Sequence, residues 1–369
     1  MFSIPREGAP FAPASPMLRA TVFIWAITSA IVLAQQPGTK HPRRSPADKS
    51  TPIISEVLAA QVMLDRSGFS PGEIDGMPGS NFLRAVSAFQ KSRDLDASGL
   101  LDEITAERLH KDAGDVPAMV TYVLTDVDVG GPFQPDIPSD LVEQSKLDML
   151  GYRNPLEALA EKFHASPALL KTLNEGQTFA TAGEQVVVPN VVQGPVPAVE
   201  NPQPTVVEPT KNTKPTPPAR GNQTAQRAKA TAIPGVRIVV TKRSSDLTVE
   251  DDTGRVLFYA PVTTGSSHDP LPIGNWKVTV VQQMPAFHYN PQLFWDANPS
   301  HSKATIRPGP NNPVGVAWID LTKEHYGIHG TPDPAGVGHT QSHGCVRMTN
   351  WDVLRLLEWA RPGTPVVFQ

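Results

Sequence analysis

The chain has 369 residues, enough for two or three domains at about 150 residues each. Its 32 Lys and Arg against 36 Asp and Glu leave a net charge of −4, so no basic field invites a nucleic-acid backbone, and nucleic acid is excluded as a partner. Proline, at 39 residues, is roughly twice its average share, which argues against one body of helices and central strands and for ordinary domains joined by proline-rich connectors. A single cysteine, Cys345, rules out any disulfide within the chain.

At the N-terminus, Arg6 and Arg19 precede an uncharged apolar run from Thr21 to Ala34. That run is short for a bilayer, which needs about 20 residues, and suits the core of a secretory signal with a small-residue cleavage site at Val32-Leu33-Ala34. Residues 1–34 therefore read as a signal peptide or anchor, and either one exports the remainder to the periplasm or cell envelope. Residues 35–52, polar and proline-rich, read as a disordered spacer.

Helical periodicity begins at 53. Ile54, Val57, Leu58 and Val62 share one face, Phe82, Val86 and Phe89 another, and a third short helix spans 104–110. Gly68 to Gly76 forms a tight loop between the first two, and Gly79-Ser80-Asn81 supplies the next cap. The segment 53–112 is thus a small three-helix domain. Its Gly68-Phe69, Ile74-Asp75-Gly76, Gly79 and Ala85-Val86-x-x-Phe89-Gln90 resemble the peptidoglycan-binding domain often fused to wall enzymes. A glycine-looped bundle without ligand is the plainer alternative.

From 116 to 190 the pattern gives two short helices, Leu156–Phe163 and Pro167–Asn174, then a strand at 185–189. Helix, helix, strand is similar to a degenerate LysM wall-binding repeat, with no opening strand evident before Pro155. A structural spacer fits equally. Residues 191–233, dense in proline with few large apolar residues, read as a linker that separates a wall-binding part from the C-terminal region and lets the two work independently.

The C-terminal region, 234–369, changes texture. Arg237–Thr241, Asp246–Glu250, Val256–Ala260, Trp276–Val281, Val314–Ile319 and Thr364–Phe368 are β-prone runs. Thr349 caps one helix, with Asp352 three residues on, Val353, Leu357 and Ala360 inward, and Arg361-Pro362-Gly363 as its stop. The whole chain is accordingly a multidomain α + β protein whose last domain is mostly β with one helix.

The chemistry concentrates in His329-Gly330-Thr331 and Ser342-His343-Gly344-Cys345-Val346-Arg347. A thiol nucleophile needs an imidazole to move its proton and donors for a developing oxyanion. His329 and His343 are candidate bases, Gly344 permits close backbone approach, and the Arg347 charge is expected to lower the Cys345 pKa. Zinc held by His329, His339, His343 and Cys345 is the competing reading, but His343-x-Cys345 is cramped beside usual ligand gaps. His268, His288, His301 and His325 carry no motif. Neither metal nor cofactor is expected.

These motifs, with Leu271-Pro-Ile-Gly-Asn-Trp276 upstream, resemble the signature of the L,D-transpeptidases, the YkuD-type catalytic domain, over all of 234–369. The resemblance implies a β-sandwich-like fold with the cysteine in a cleft. It implies that Cys345 attacks a peptidoglycan tetrapeptide stem and that His329 acts as base and then acid. The amides near His343, Gly344 and Cys345 would hold the oxyanion, with Ser342, Gly330 and Arg347 supporting the loop or a substrate carboxylate. The acyl group would pass to an amine: another stem, a lysine of an outer-membrane lipoprotein, or a free D-amino acid. It further implies a role in wall biogenesis and cell shape and covalent inhibition by carbapenems. Hydrolysis by the same residues (an L,D-carboxypeptidase or an amidase) is the near alternative, and a silent wall-binding protein the distant one. The Asn- and Pro-rich insertion at 282–313 is a candidate lid.

Overall fold

The computed structural model describes residues 55–192, 233 and 235–369. The signal or anchor at 1–34, the spacer at 35–52 and nearly all of the 191–233 linker lie outside the described residues.

Three helices open the described chain: α1 (Glu56–Arg66), α2 (Ser80–Ser92) and α3 (Glu103–Ala113). Ser55 caps α1 through Leu58 N and Asp102 caps α3 through Thr105 N. Leu64, Phe69, Phe82, Val86, Phe89 and Leu109 bury into one cluster. Gln90, buried in α2, closes the following loop by donating to the Leu100 carbonyl and Thr105 Oγ1, while its Oε1 accepts from Gly99 N.

The middle segment contains β1 (Met119–Val123), α4 (Asp126–Gly130), α5 (Leu141–Gln144), α6 (Pro155–Lys162), α7 (Pro167–Leu173) and β2 (Gln185–Pro189). The opening strand, not evident in the sequence, is β1, which pairs antiparallel with β2, Met119 opposite Pro189. It was hidden because residues 124–154 intervene before α6. Asn174 ends α7 and binds it to β2, its amide donating to the Leu170 and Val187 carbonyls and its Oδ1 accepting from Val187 N.

The rest consists of β3 (Val236–Thr241), β4 (Asp246–Asp251), β5 (Val256–Pro261), β6 (Gly274–Gln283), β7 (Phe287–Tyr289), β8 (Ala304–Ile306), β9 (Ala317–Leu321), β10 (Gly327–His329), β11 (Val346–Arg347), α8 (Asn350–Leu356) and β12 (Pro365–Phe368). Eight of these strands form one sheet in the order β11-β10-β9-β6-β12-β3-β4-β5. Both ends of the sheet contribute to one core: Ile238, Val249 and Phe258 cluster with Ile319, Ile328 and Val346, and with Val353 and Leu356 of α8. Thr349 caps α8 as expected, its Oγ1 accepting from Asp352 N. The strands β7 and β8 form a separate ribbon within the expected lid.

The expectation of modules working independently on a tether does not hold among the described residues. β5 is the outer strand of the sheet, and the Gly68–Ser70 loop covers it: Tyr259 N donates to Gly68 O and Ser70 N to Tyr259 O, both at 2.9 Å. Tyr259 then buries its ring in the helical cluster, at 1% exposure. Ser70 Oγ donates to Asp352 Oδ2 at 2.9 Å, and Arg355 Nη1 to the Asp65 carbonyl at 2.8 Å. From the middle segment, His164 pairs with Asp65 at 3.0 Å and stacks on Trp351, ring centroids 5.2 Å apart. Linker composition reports the connector and carries no information on whether the modules it joins touch.

Candidate active site

Strand geometry assembles the site. β10 and β11 are parallel neighbours, Ile328 opposite Val346 and His329 opposite Arg347. Ile328 and Val346 are wholly buried in the core. Alternation therefore turns His329 and Arg347 to the other face, and Cys345, two residues before Arg347, to that same face. On the opposite side of β10, Trp318 of β9 is the register partner of His329. Its indole stacks on the imidazole, centroids 5.3 Å apart and planes 18° apart. Trp318, His329 and Arg347 thus form a ladder across three strands. Gly327 lacks a side chain for a steric reason, since a Cβ there would run into the Trp318 ring.

His329 is 4% exposed, and its Nδ1 donates to the Gly330 carbonyl at 2.7 Å. That bond assigns the Nδ1–H tautomer and leaves Nε2 as an acceptor. Burial, with the Arg347 charge adding to it, pushes the His329 pKa down to about 3, so the ring is neutral at physiological pH. Gly330 serves as the acceptor that orients this ring.

Cys345 is partly exposed, and its Sγ lies 3.8 Å from the His325 carbonyl, to which the thiol donates. Here the structure corrects the sequence expectation. Burial raises the Cys345 pKa above its ordinary value, and this outweighs the Gly327 amide and the Arg347 charge, both of which favour thiolate. The resting pair is thus a neutral thiol with a neutral imidazole. Arg347 is half-buried, which draws its own pKa down. Among the described residues its guanidinium makes no side-chain hydrogen bond or salt bridge, so it is available to an incoming carboxylate.

The loop that presents Cys345 is set by Ser342, which is 4% exposed. Its Oγ donates to the Cys345 carbonyl at 2.5 Å and accepts from Gly344 N at 3.2 Å, folding 342–345 into a tight turn. Ser342 N also donates to the Thr264 carbonyl, tying the turn to the 263–266 segment. Gly344 adopts φ +105°, and a Cβ there would come within 2.7 Å of the Tyr326 ring. The ring of His343, expected nearer the reacting centre, faces the lid instead: its Nε2 bonds Asp296 Oδ1 at 2.8 Å and its edge meets Phe294 at 5.1 Å. The structure therefore brings Cys345, His329, Gly330 and Arg347 together, and gives Ser342 and Gly344 to loop shape. His339 is exposed on its own loop. Sequence reasoning missed Trp318, Tyr326 and Asp296. An aromatic in β9 alternating with buried Ala317 and Ile319 was the available signal for Trp318.

A partly exposed thiol at the loop entry to β11, the strand beside that of a tautomer-fixed neutral imidazole, defines a class of site suited to covalent acyl transfer. Residues 235–368 match the family model described as "L,D-transpeptidase catalytic domain", and 55–109 the one described as "Putative peptidoglycan binding domain". The protein named "Putative L,D-transpeptidase YqjB" of Bacillus subtilis is 34% identical over 136 residues, 35% of this chain and 69% of that protein. "Putative L,D-transpeptidase YkuD" of Bacillus licheniformis is 48% identical over 60 residues, 16% of this chain. The match spans about a third of the length of that protein and of its Bacillus subtilis counterpart. Among solved structures, an L,D-transpeptidase from Mycobacterium smegmatis aligns at 20% identity and TM-score 0.30, over 37% of this chain and 58% of that one. The chain belongs to the L,D-transpeptidase family, and carries a peptidoglycan-binding-like helical domain ahead of the catalytic one.

Proposed function

We propose that this protein is an exported, cysteine-dependent acyltransferase of the cell envelope that acts on peptidoglycan tetrapeptide stems. The observation that carries this reading is the Cys345–His329 arrangement, a thiol at the residue just before β11, the strand paired with the β10 strand of a neutral, tautomer-fixed base. His329 Nε2 takes the thiol proton as Cys345 Sγ attacks the carbonyl before the terminal D-alanine. The amides of the 343–345 turn receive the developing oxyanion. The C–N bond breaks, D-alanine leaves with the proton returned by His329, and a thioester remains. An acceptor amine then attacks that thioester, giving a 3→3 cross-link, lipoprotein attachment or D-amino-acid exchange, and regenerates the thiol. Arg347, with no carboxylate salt-bridge partner among the described residues, suits a donor carboxylate. Neither step calls for a metal or cofactor.

The domain assignments accord with the same reading: a signal or anchor at 1–34, a spacer at 35–52, wall binding at 53–112, LysM-like wall contact or a spacer at 116–190, a linker at 191–233 and catalysis at 234–369. The protein would act in wall biogenesis and maintenance of cell shape. A carbapenem, as a strained acyl donor, would acylate Cys345. Incubation of the full chain with purified disaccharide-tetrapeptide, with products resolved by mass, tests this. Cross-linked dimer or D-amino-acid exchange is expected. Bare tripeptide alone would move the assignment to a hydrolase, and no product with any acceptor would overturn it.

A further inference from the structure

The stretch 284–306 of the candidate lid at 282–313 is not held by its own structure. Its ribbon, β7 and β8, has three residues per strand, and a two-stranded ribbon of that size has no independent stability in water. The middle segment supplies what holds it. Leu150, wholly buried, forms one cluster with Tyr289 and Ile306 of the ribbon, backed by Leu141, Leu147 and Phe294. Leu150 also donates its N–H to the Pro308 carbonyl at 3.3 Å and accepts from Asn311 N at 2.9 Å. Beside that cluster, His301 of the lid stands between two modules: its Nε2 meets Asp140 Oδ2 at 2.9 Å and its Nδ1 the Tyr289 hydroxyl at 3.1 Å. The other Asp140 oxygen caps α5, accepting from Val142 N and Glu143 N, which fixes the carboxylate in place. Arg153 Nη1 adds a bond to Asn311 Oδ1 at 2.8 Å, near the C-terminal end of the 282–313 insertion.

The lid in turn touches the catalytic loop. Phe294 packs on Tyr289, centroids 5.5 Å apart, and also meets the His343 ring at 5.1 Å. Asp296 Oδ1 bonds His343 Nε2, two residues before Cys345. A continuous path therefore runs from Leu150 and Asp140 through Tyr289, His301 and Phe294 to His343.

We propose that residues 132–154 are a strap that holds the lid shut on the 342–345 loop, with Asp140, Leu150 and His301 as positioning residues and Asp296 the contact that transmits lid position to His343. The reading of Cys345 as nucleophile underlies the catalytic part of this proposal. The strap sets how the donor peptide enters, so its loss raises KM for the tetrapeptide more than it lowers kcat. It also makes the middle segment part of the enzyme's substrate gate, in addition to any contact it makes with the wall.

The test uses the full chain with Asp140→Asn, which keeps the cap acceptor but removes the charge, Tyr289→Phe, which keeps the ring but removes the hydroxyl, Leu150→Ala and Asp296→Ala. Hydrogen exchange is read on 284–306 against 236–261 as internal reference, together with the iodoacetamide alkylation rate of Cys345 at fixed pH. Asp140→Asn and Tyr289→Phe are expected to speed lid exchange about fivefold, the loss of one hydrogen bond, and Leu150→Ala about tenfold or more, with 236–261 unchanged. All three speed alkylation. Asp296→Ala speeds alkylation while leaving lid exchange near wild type, because it cuts only the contact to His343. Unchanged lid exchange in both Asp140→Asn and Leu150→Ala, or a rise no larger in the lid than in 236–261, overturns the proposal. Exchange and alkylation need no substrate. A wild-type protein without turnover whose lid responds as stated would therefore defeat the transfer reading and leave the strap standing.

Discussion

Trp318→Ala isolates what keeps His329 neutral. The indole covers one face of the imidazole at 5.3 Å and 18°, and burial is the largest cause of the fall in the His329 pKa from 6.5 to about 3. At 1.36 kcal/mol per pH unit, that fall corresponds to on the order of 5 kcal/mol against the imidazolium. Removing the indole admits water to one face while the Arg347 charge remains, so the pKa should return part of the way, to between about 5 and 6. A base with a pKa near 3 stays competent to well below pH 5, whereas one near 5.5 is mostly protonated at pH 5, lowering kcat/KM about fourfold there and little at pH 7.5. The same shift acts on stability. A histidine with a depressed folded pKa weakens the fold as pH falls from about 6.5 to 3, and the variant should lose part of that acid sensitivity. The assay is the pH profile of kcat/KM on tetrapeptide, paired with an NMR titration of the His329 ring. A wild-type ring titrating near 6.5, or a variant profile that superimposes on wild type, would refute the reasoning.

Further predictions address the turn and the module contacts. Ser342→Ala leaves the Gly344 N–H and the Cys345 carbonyl without their partner; a loss of about 1–3 kcal/mol in thermal unfolding and at least tenfold in kcat is expected, with partial rescue by Ser342→Thr. Burial raises the Asp352 pKa to about 7, so its carboxyl is protonated in the folded chain and ionised in the unfolded one between about pH 4 and 7. Wild-type stability relative to Asp352→Asn should therefore be greatest below pH 4, fall by about 4 kcal/mol as pH rises to 7 and stay level above, as read by urea unfolding across pH; an opposite slope would sink this account. Tyr259→Ala, which empties a fully buried ring at the contact with the helical domain, should lower stability by about 3–5 kcal/mol and open the junction near Gly68 to proteolysis.

Much of the fold was legible where one local signal sufficed. β-prone composition located β3, β4, β5 and β12, and the Thr349–Asp352 cap located the start of α8, although the helix ends at Leu356, a turn short of the expected Arg361-Pro362-Gly363 stop. The strands that build the site were not legible as strands, because β10 and β11 are three and two residues long and exist only through their pairing. The motif still marked Cys345 and His329, since residue type and spacing survive where periodicity fails. Ionisation was misjudged for a related reason. Arg347 is visible two residues from Cys345 in sequence, whereas the burial that outweighs it is a property of the fold. The lid contact of His343 and the docking of three modules depend on residues distant in sequence from one another, so no local pattern announces them.

The central claim is that a stem peptide becomes covalently attached to Cys345. Full-length protein mixed with disaccharide-tetrapeptide, quenched in acid within the first turnover and digested for mass mapping, reads this directly. The account predicts an adduct of the donor minus D-alanine on the peptide containing Cys345, absent from Cys345→Ala and slow to form in His329→Ala. An adduct on any other residue, or one that persists in Cys345→Ala, would contradict it.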